Sequence, residues 1–296
     1  MRSDSASLED RSHRGSSLAA PCQFSAAGWE ALSITDREFQ EIKAWIHQVA
    51  GINLSNQKKA LVTGRLAARL RHYQLRTYGE YFHLLQIGVH PSELQIAIDL
   101  LTTNETHFFR EPKHFDFLRE KIVSNRSPRR EPRVWSAATS SGEEAYSLAM
   151  TLSATLANAP WEVLASDLSA RALDRARAGH YSLARAKSIP RQLLQAHCLK
   201  GVGAQAGTFL IEPQLRSRVQ FLQINLVNTL PPIGEFEFIF LRNVMIYFDL
   251  PTKREVVARV VRHLRPGGYL IVGHAETLNG VTDALKSVMP SIYRKP

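Results

Sequence analysis

The sequence predicts an α/β protein with a doubly wound, Rossmann-like sheet. Residues 236–241 form an almost continuous apolar run, which is typical of a central parallel strand covered on both faces. Residues 134–147 indicate a short strand, a turn of small residues and the start of an amphipathic helix, which is the unit that opens such folds. A further strand at 161–167 follows, so strands and helices alternate along this half of the chain.

Two of these strands end in residues that packing does not require. Arg242 and Asn243 come directly after the 236–241 run, and Asp167 closes the strand at 161–167. Open α/β sheets bind their ligands at the carboxyl ends of the strands. An acid at the second strand end is placed to hydrogen-bond ribose hydroxyls, although a turn or capping role is the ordinary alternative for a lone Asp.

Composition agrees with a globular, basic protein. A chain of 296 residues with 44% apolar residues can build one large domain and one small one. It has no apolar run long enough for a membrane span and no signal-type N-terminus, so we expect a cytoplasmic protein without membrane insertion. The two cysteines, Cys22 and Cys198, have neither metal-site spacing nor a disulfide framework, and the net charge of +10 indicates an acidic partner.

Residues 1–34 are rich in Ser, Ala and Arg and predict a disordered tail. A helical domain is predicted over 35–101, with capping boxes that begin at Thr35 and Thr77 and with Ser55 as the cap of the second helix. Between Glu41 and Glu80 this domain contains basic residues but no acidic one. Such a one-signed surface predicts a face for an acidic helical partner, and a merely solvated face is the alternative.

The segment 102–133 is predicted as a linker that carries a polar motif, a helix after Pro112 and a basic loop. Within the α/β domain, 134–296, residues 198–212 read as a strand, a turn with Gly201, Gly203 and Gly207, and a second strand. A hairpin is favoured over a phosphate loop because no helix follows the glycines. Residues 251–264 predict a helix that ends at 265–268, then a strand at 269–273, and after 279 a short helix and a hairpin.

Several of these segments together resemble one family. They are residues 101–110, 136–147, 165–167, 223–226, 241–249 and 273–276, in that order. They are similar to the motif series of the chemotaxis receptor methyltransferases of the CheR type, and the resemblance extends from about Thr35 to the C-terminus. It implies a class I methyltransferase sheet of seven strands with an antiparallel last strand. It also implies an all-helical N-terminal domain and a small antiparallel β-subdomain at about 196–218.

The resemblance implies transfer of a methyl group from S-adenosylmethionine to glutamate side chains on the cytoplasmic helical bundle of chemoreceptors. The products are glutamyl methyl esters and S-adenosylhomocysteine, and the process serves adaptation in chemotaxis. In some members the β-subdomain docks a peptide from the receptor C-terminus as an added strand, and the loop with Gly201, Gly203 and Gly207 is similar to theirs. We expect a monomer that does not bind nucleic acid.

The resemblance also implies site residues. Asp167 contacts the ribose, Tyr247 and Arg110 serve catalysis, and no metal is expected. Further cofactor contacts are Asn104, Thr106, Arg110, Glu143, Asn225, Leu226, Arg242 and Asn243. The predicted substrate contacts on the basic helix are Lys58, Lys59, Arg65 and Arg69. The substrate carboxylate is already ionised at neutral pH, with an ordinary pKa of about 4.3, so no general base is required.

Two other functions compete with this hypothesis. A nucleic-acid methyltransferase would also be basic, but amino-directed base methylation uses an Asp/Asn-Pro-Pro-Tyr/Phe motif where this chain has Arg242 and Asn243. A non-catalytic adaptor could use the same fold, although the cofactor motifs all retain their polar residues. Methyl-transfer assays with receptor membranes, RNA and DNA separate these alternatives.

Overall fold

The computed structural model describes residues 33–88, 90–124, 131–157 and 159–296. Almost all of the predicted tail, Cys22 and most of the basic loop before the first strand lie outside these ranges. Four helices come first along the described chain: α1 (Asp36–Ala50), α2 (Lys59–His72), α3 (Tyr78–Ile87) and α4 (Pro91–Leu101).

The helix starts follow the predicted capping signals, with one exception. The Thr35 hydroxyl accepts a hydrogen bond from the Glu38 amide while the Glu38 carboxylate accepts one from the Thr35 amide, and Thr77 with Glu80 repeats this capping box. Ser55 does not cap α2, contrary to expectation. A 3₁₀ turn, Asn56–Lys58, separates Ser55 from the helix, and the Ser55 side chain makes no capping hydrogen bond.

The rest of the described chain alternates strands and helices. The elements are α5 (Lys113–Ser124), β1 (Arg133–Ser136), α6 (Glu143–Leu156), β2 (Glu162–Asp167), α7 (Ala170–Ala178), β3 (His180–Ser182), α8 (Arg191–His197), β4 (Cys198–Lys200), β5 (Thr208–Ile211), α9 (Pro213–Arg216), β6 (Val219–Gln223), β7 (Phe236–Leu241), α10 (Leu250–Arg262), β8 (Leu264–Val272), β9 (Lys286–Met289) and β10 (Ile292–Arg294).

The main sheet has seven strands in the order β6-β2-β1-β7-β8-β10-β9, and β10 runs antiparallel to β8, as the resemblance implies. Its central strands are buried on both faces because their side chains alternate between two cores. Val134 packs with one core and Trp135 with the other, and Phe240 and Leu241 divide in the same way. This arrangement places the carboxyl ends of β1, β2 and β7 side by side.

Two expectations about the second half of this sheet were wrong. Residues 265–268 belong to β8 instead of ending α10, because the strand begins at Leu264, which pairs with Phe236 across a register shift. The segment 279–296 is fully described and holds turns and the β9–β10 hairpin, with no helix.

A second, three-stranded antiparallel sheet has the order β3-β5-β4. The predicted hairpin is its β4 and β5, but β6 joins the main sheet, and β3 was missed because it is three residues long and mostly exposed. In the connecting turn, a Cβ on Gly201 would lie 2.0 Å from the Gln205 carbonyl oxygen, so only glycine fits there.

Candidate active site

A cavity of about 450 Å³ opens at the carboxyl ends of β1, β2 and β7. We call it the main cavity. Residues that follow α1 in the helical domain form one part of its lining, and the segment after α4 forms another. Most predicted site residues line it: Lys58, Asn104, Thr106, Arg110, Asp167, Asn225, Leu226, Arg242, Asn243 and Tyr247.

Asp167 is held rigidly at the end of β2. Its carboxylate accepts hydrogen bonds from the backbone amides of Ser140, at 2.7 Å, and Ser169, at 2.9 Å. Burial raises the pKa of Asp167, although these two amides act in the opposite direction. A carboxylate has about four acceptor positions, so Asp167 keeps capacity for ligand hydroxyls.

Arg242 forms the charged floor of the main cavity. Its side chain is only 1% exposed and its guanidinium contacts the carboxylates of Glu144, at 2.7 Å, and Glu111, at 2.9 Å. It also donates to the backbone carbonyl of Arg110 and lies over the Phe115 ring. The floor is therefore an ion network in which one guanidinium pairs with two carboxylates, so the carboxylates outnumber the cation.

The two adjacent acids at the start of α6, of which Glu143 is the predicted cofactor contact, have different surroundings. Glu144 lines the main cavity, whereas Glu143 is not among its lining residues. The buried Glu143 carboxylate instead accepts from the Ser141 hydroxyl and pairs with Arg185. Adjacent helical residues point about 100° apart, so only one of two neighbouring acids can face the cavity. Sequence matching could not decide between them.

A residue that sequence reasoning missed holds the loop after β7. The Glu276 carboxylate accepts hydrogen bonds from the backbone amides of Gly273, Asn243 and Ile246. These contacts stabilise Asn243 at a positive φ of 55°. Glu276 lies in the 273–276 motif, and the presence of an acid in this motif was the sequence signal that could have identified it.

Tyr247 ends the 3₁₀ turn Met245–Tyr247 and is half-buried at the cavity. Its carbonyl accepts from the Asn53 amide at 2.8 Å, and the Asn225 side chain donates to the Val49 carbonyl at 2.7 Å. The helical domain is thus hydrogen-bonded to the same loops that line the cavity.

Comparison with known proteins decides the family. Residues 37–102 match the all-alpha domain of the CheR methyltransferases, and residues 104–293 match their SAM binding domain. This chain belongs to the CheR methyltransferase family. It is 42% identical over 255 residues to the chemotaxis protein methyltransferase of Escherichia coli K12, covering 84% of this chain and 87% of that one. It is 39% identical over 269 residues to chemotaxis protein methyltransferase 2 of Pseudomonas aeruginosa PAO1, covering 90% and 95%.

The main cavity of this CheR-family chain fits S-adenosylmethionine chemically. Its size lies in the range of small-molecule sites. Asp167 matches a ribose, Glu144 an ammonium group and Arg110 a carboxylate, and the Ile224 and Leu226 side chains supply apolar wall.

The four predicted substrate cations do not form one open face. Arg69 contacts the buried Glu93 carboxylate at 2.5 Å, and Lys59 contacts Asp36 at 2.7 Å. Both acids lie outside the acid-free stretch between Glu41 and Glu80. Folding therefore gives Lys59 and Arg69 acidic partners that are absent from this stretch. Arg65 donates to the carbonyls of residues 101 and 102. Lys58 is exposed at the main cavity and its ammonium group has no polar partner among the residues that the structure describes.

A smaller depression of about 220 Å³ adjoins the main cavity, and both are lined by Thr102 and Asn104. Four guanidinium groups line it, and we call it the arginine pocket: Arg65, Arg171, Arg175 and Arg185. Of these, only Arg65 was predicted, because the other three lie in the methyltransferase domain far along the chain from α2.

Glu111, His114 and His274 bring three possible metal-ligating atoms within 4.8 Å of one another. Sequence spacing did not reveal this cluster. Burial lowers the pKa of His114 to about 4, and the nearby Arg242 charge adds to this effect. Because Arg242 forms an ion pair with the same Glu111 carboxylate, a cation bound here would be repelled by the guanidinium.

Among the described residues, no helix has both the length and the apolar composition to cross a membrane.

Proposed function

We propose that this chain methylates glutamate side chains of chemotaxis receptors with S-adenosylmethionine, forming glutamyl methyl esters and S-adenosylhomocysteine for adaptation. The main cavity carries the proposal, because one space at the strand ends combines a ribose acceptor, charged groups of both signs and a half-buried tyrosine. The cytoplasmic helical bundle of the receptor is the proposed substrate, so we place the enzyme in the cytoplasm, as a monomer.

In the proposed complex, each part of the cofactor has its own residues. Asp167 takes the ribose hydroxyls, and Asn225 and Leu226 lie against adenine. The amino-acid end is held by residues from the segment after α4, namely Asn104, Thr106 and Arg110. The acid expected there was Glu143, and the cavity lining supports Glu144 in its place. Arg242 and Asn243 form the floor.

Bound S-adenosylmethionine supplies a methyl group that its positive sulfonium already activates. A glutamate carboxylate is ionised at neutral pH, so the chain need not remove a proton from it. The chain's task is to align the carboxylate oxygen and to exclude water from it. We assign the alignment to the Tyr247 hydroxyl, with a supporting role for Arg110, which lines the same cavity.

The receptor would approach along the helical domain. Lys58 and Arg65 are the members of the predicted basic set that face the two cavities, while Lys59 and Arg69 already have acidic partners. Attraction between such cations and an acidic helical bundle acts over about 8 Å at physiological salt. This contact brings the substrate carboxylate to the mouth of the main cavity.

The β-subdomain is the proposed dock for a receptor C-terminal peptide. Strand β4 lies at an edge of the small sheet. Leu199 in this strand is 51% exposed, and Val202, just after the strand, is 77% exposed. An unpaired edge with apolar side chains suits an added strand. The turn with Gly201, Gly203 and Gly207 sets the shape of this edge.

The test is methyl transfer from radiolabelled S-adenosylmethionine to receptor-bearing membranes, with RNA and DNA as competing substrates. Base-labile label on receptor protein is the expected result, because carboxyl methyl esters hydrolyse in mild base. Label on nucleic acid, or no label with cofactor bound, would overturn the proposal. Adding free receptor C-terminal peptide tests the β-subdomain separately, since competition should lower the rate only for receptors that carry that peptide.

A further inference from the structure

The arginine pocket is built from three separate parts of the fold. Arg65 comes from α2, Arg171 and Arg175 from successive turns of α7, and Arg185 from the segment after β3. Because the pocket and the main cavity share Thr102 and Asn104 in their linings, they are neighbours on one surface. One bound protein segment can reach both.

The charge of this pocket is poorly compensated. Glu143, which pairs with Arg185, is the one carboxylate in an ion pair with any of the four arginines, counting the residues that the structure describes. The guanidinium of Arg65 donates to backbone carbonyls, and so does that of Arg171. The exposed Arg175 side chain has no polar partner in the described part of the chain. Burial lowers the pKa of Arg65, and the Arg171 charge lowers it further while Tyr247 opposes this effect.

We propose that the arginine pocket binds a second carboxylate of the protein substrate while the carboxylate to be methylated enters the main cavity. This inference rests on the proposed function, because that function supplies a glutamate-bearing helical segment as substrate. Guanidinium groups bind carboxylates bidentately, and several converging donors can fix one acidic side chain. A helix offers such an acid about one or two turns from the methylated residue. The pocket therefore selects which glutamates of the receptor are methylated.

Arg175→Glu tests the proposal, and Arg177→Glu is its matched control. Arg177 is exposed on the same helix, pairs with Asp174 and is not among the residues that line the pocket, so it gives the same change in net charge. With receptor-bearing membranes, Arg175→Glu should raise KM about tenfold relative to Arg177→Glu, with kcat and S-adenosylmethionine affinity unchanged.

The same assay is repeated with receptor in which the acidic residues flanking the methylated glutamate are replaced by their amides. This change should raise KM for the wild-type enzyme but have little further effect on an Arg175→Ala enzyme. Equal KM for the Arg175→Glu and Arg177→Glu variants would overturn the inference. So would lost cofactor affinity, or an equal response of wild type and Arg175→Ala to the altered receptor. Wild-type labelling of receptor decides the proposed function independently, so the two failures are distinguishable.

Discussion

The floor of the main cavity and the arginine pocket are both built around arginine, but they differ in how its charge is balanced. On the floor, one almost fully buried guanidinium has two carboxylates, those of Glu111 and Glu144. In the pocket, one of the four arginines, Arg185, pairs with a carboxylate, that of Glu143, and the other three form no ion pair within the described residues. A paired, buried charge holds the site in shape, whereas an unpaired, accessible one can bind a ligand. The surrounding partners, not the residue type, separate the two roles.

The largest expected effect is on the floor. Arg242→Gln leaves two largely buried carboxylates, 13% and 12% exposed, without their cation and should lower the free energy of unfolding by about 3 to 5 kcal/mol. Arg175→Gln, on the exposed arginine without a partner, should change it by less than about 0.5 kcal/mol. Urea unfolding followed by circular dichroism measures both. Similar losses for the two variants would break the comparison.

Although Arg69 belongs to the basic helix, its replacement should destabilise the protein, as replacement of Arg242 on the floor should, because both arginines pair with carboxylates. Arg69→Gln removes the cation beside the buried Glu93 and should cost about 2 to 3 kcal/mol of unfolding free energy at pH 7. Burial acts to raise the pKa of Glu93, but the hydrogen bonds from Arg69 and Tyr81 hold it below its ordinary value.

This pKa direction gives the pH dependence of the same pair. A carboxylate with a lowered folded-state pKa stabilises the protein fully above the unfolded value, about 4.3, and loses that contribution as the pH falls through the folded value. The difference between wild type and Arg69→Gln should therefore shrink below about pH 4. A difference that stays constant from pH 7 to pH 3 would show that the ion pair is not its source.

Asp167→Ala should lower S-adenosylmethionine affinity by about 1 to 3 kcal/mol, because the ribose hydroxyls lose a charged acceptor. Asp174→Ala removes an exposed acid of α7 that pairs with Arg177, and calorimetry should find its affinity unchanged. Unchanged affinity for Asp167→Ala would remove the ribose assignment.

The two adjacent acids of α6 offer the sharpest matched pair. Glu144→Gln should cost about 1 to 2 kcal/mol of cofactor affinity, because Glu144 faces the main cavity, while Glu143→Gln should cost much less. Glu143→Gln should instead affect receptor KM through Arg185. If calorimetry gives the larger loss for Glu143→Gln, the sequence-based assignment of that residue stands and the structural one fails.

The smallest effect is expected at the mouth of the cavity. Lys58→Glu should raise receptor KM by about threefold to tenfold, and the wild-type advantage should shrink as salt increases. Lys59→Glu is the matched control, since Lys59 already pairs with Asp36. Equal effects of the two substitutions would mean that the helix acts through net charge alone.

The sequence was sufficient for the central strands of the main sheet, because the signals that mark these strands are local or repeat along the chain. An almost continuous apolar run placed β7, a short strand before a turn of small residues placed β1, capping boxes placed α1 and α3, and the acid at the end of β2 supplied the hypothesis of a ribose contact. The predictions failed where the sequence carries no local signal for the structure that forms. Strand β3 is too short and too polar to give a pattern. Residues 265–268 lie where the pairing of β8 with β7 shifts register; there the Gly267 amide donates to the Lys295 carbonyl and the Lys295 amide donates to the Gly268 carbonyl, contacts that are distant in sequence.

The sequence by itself determined the family, the α/β fold and the residue types at the ends of the strands, since these follow from periodicity and motif order. Only the tertiary structure decided which charged side chains have a partner of opposite charge and which are left unpaired. Arg69 meets Glu93, and Glu143 meets Arg185, across sequence separations that no local pattern encodes. Arg65, Arg171 and Arg175 converge only when α2 and α7 are packed in three dimensions. The energy of a charge depends on what surrounds it within a few ångströms, and the fold alone determines those neighbours.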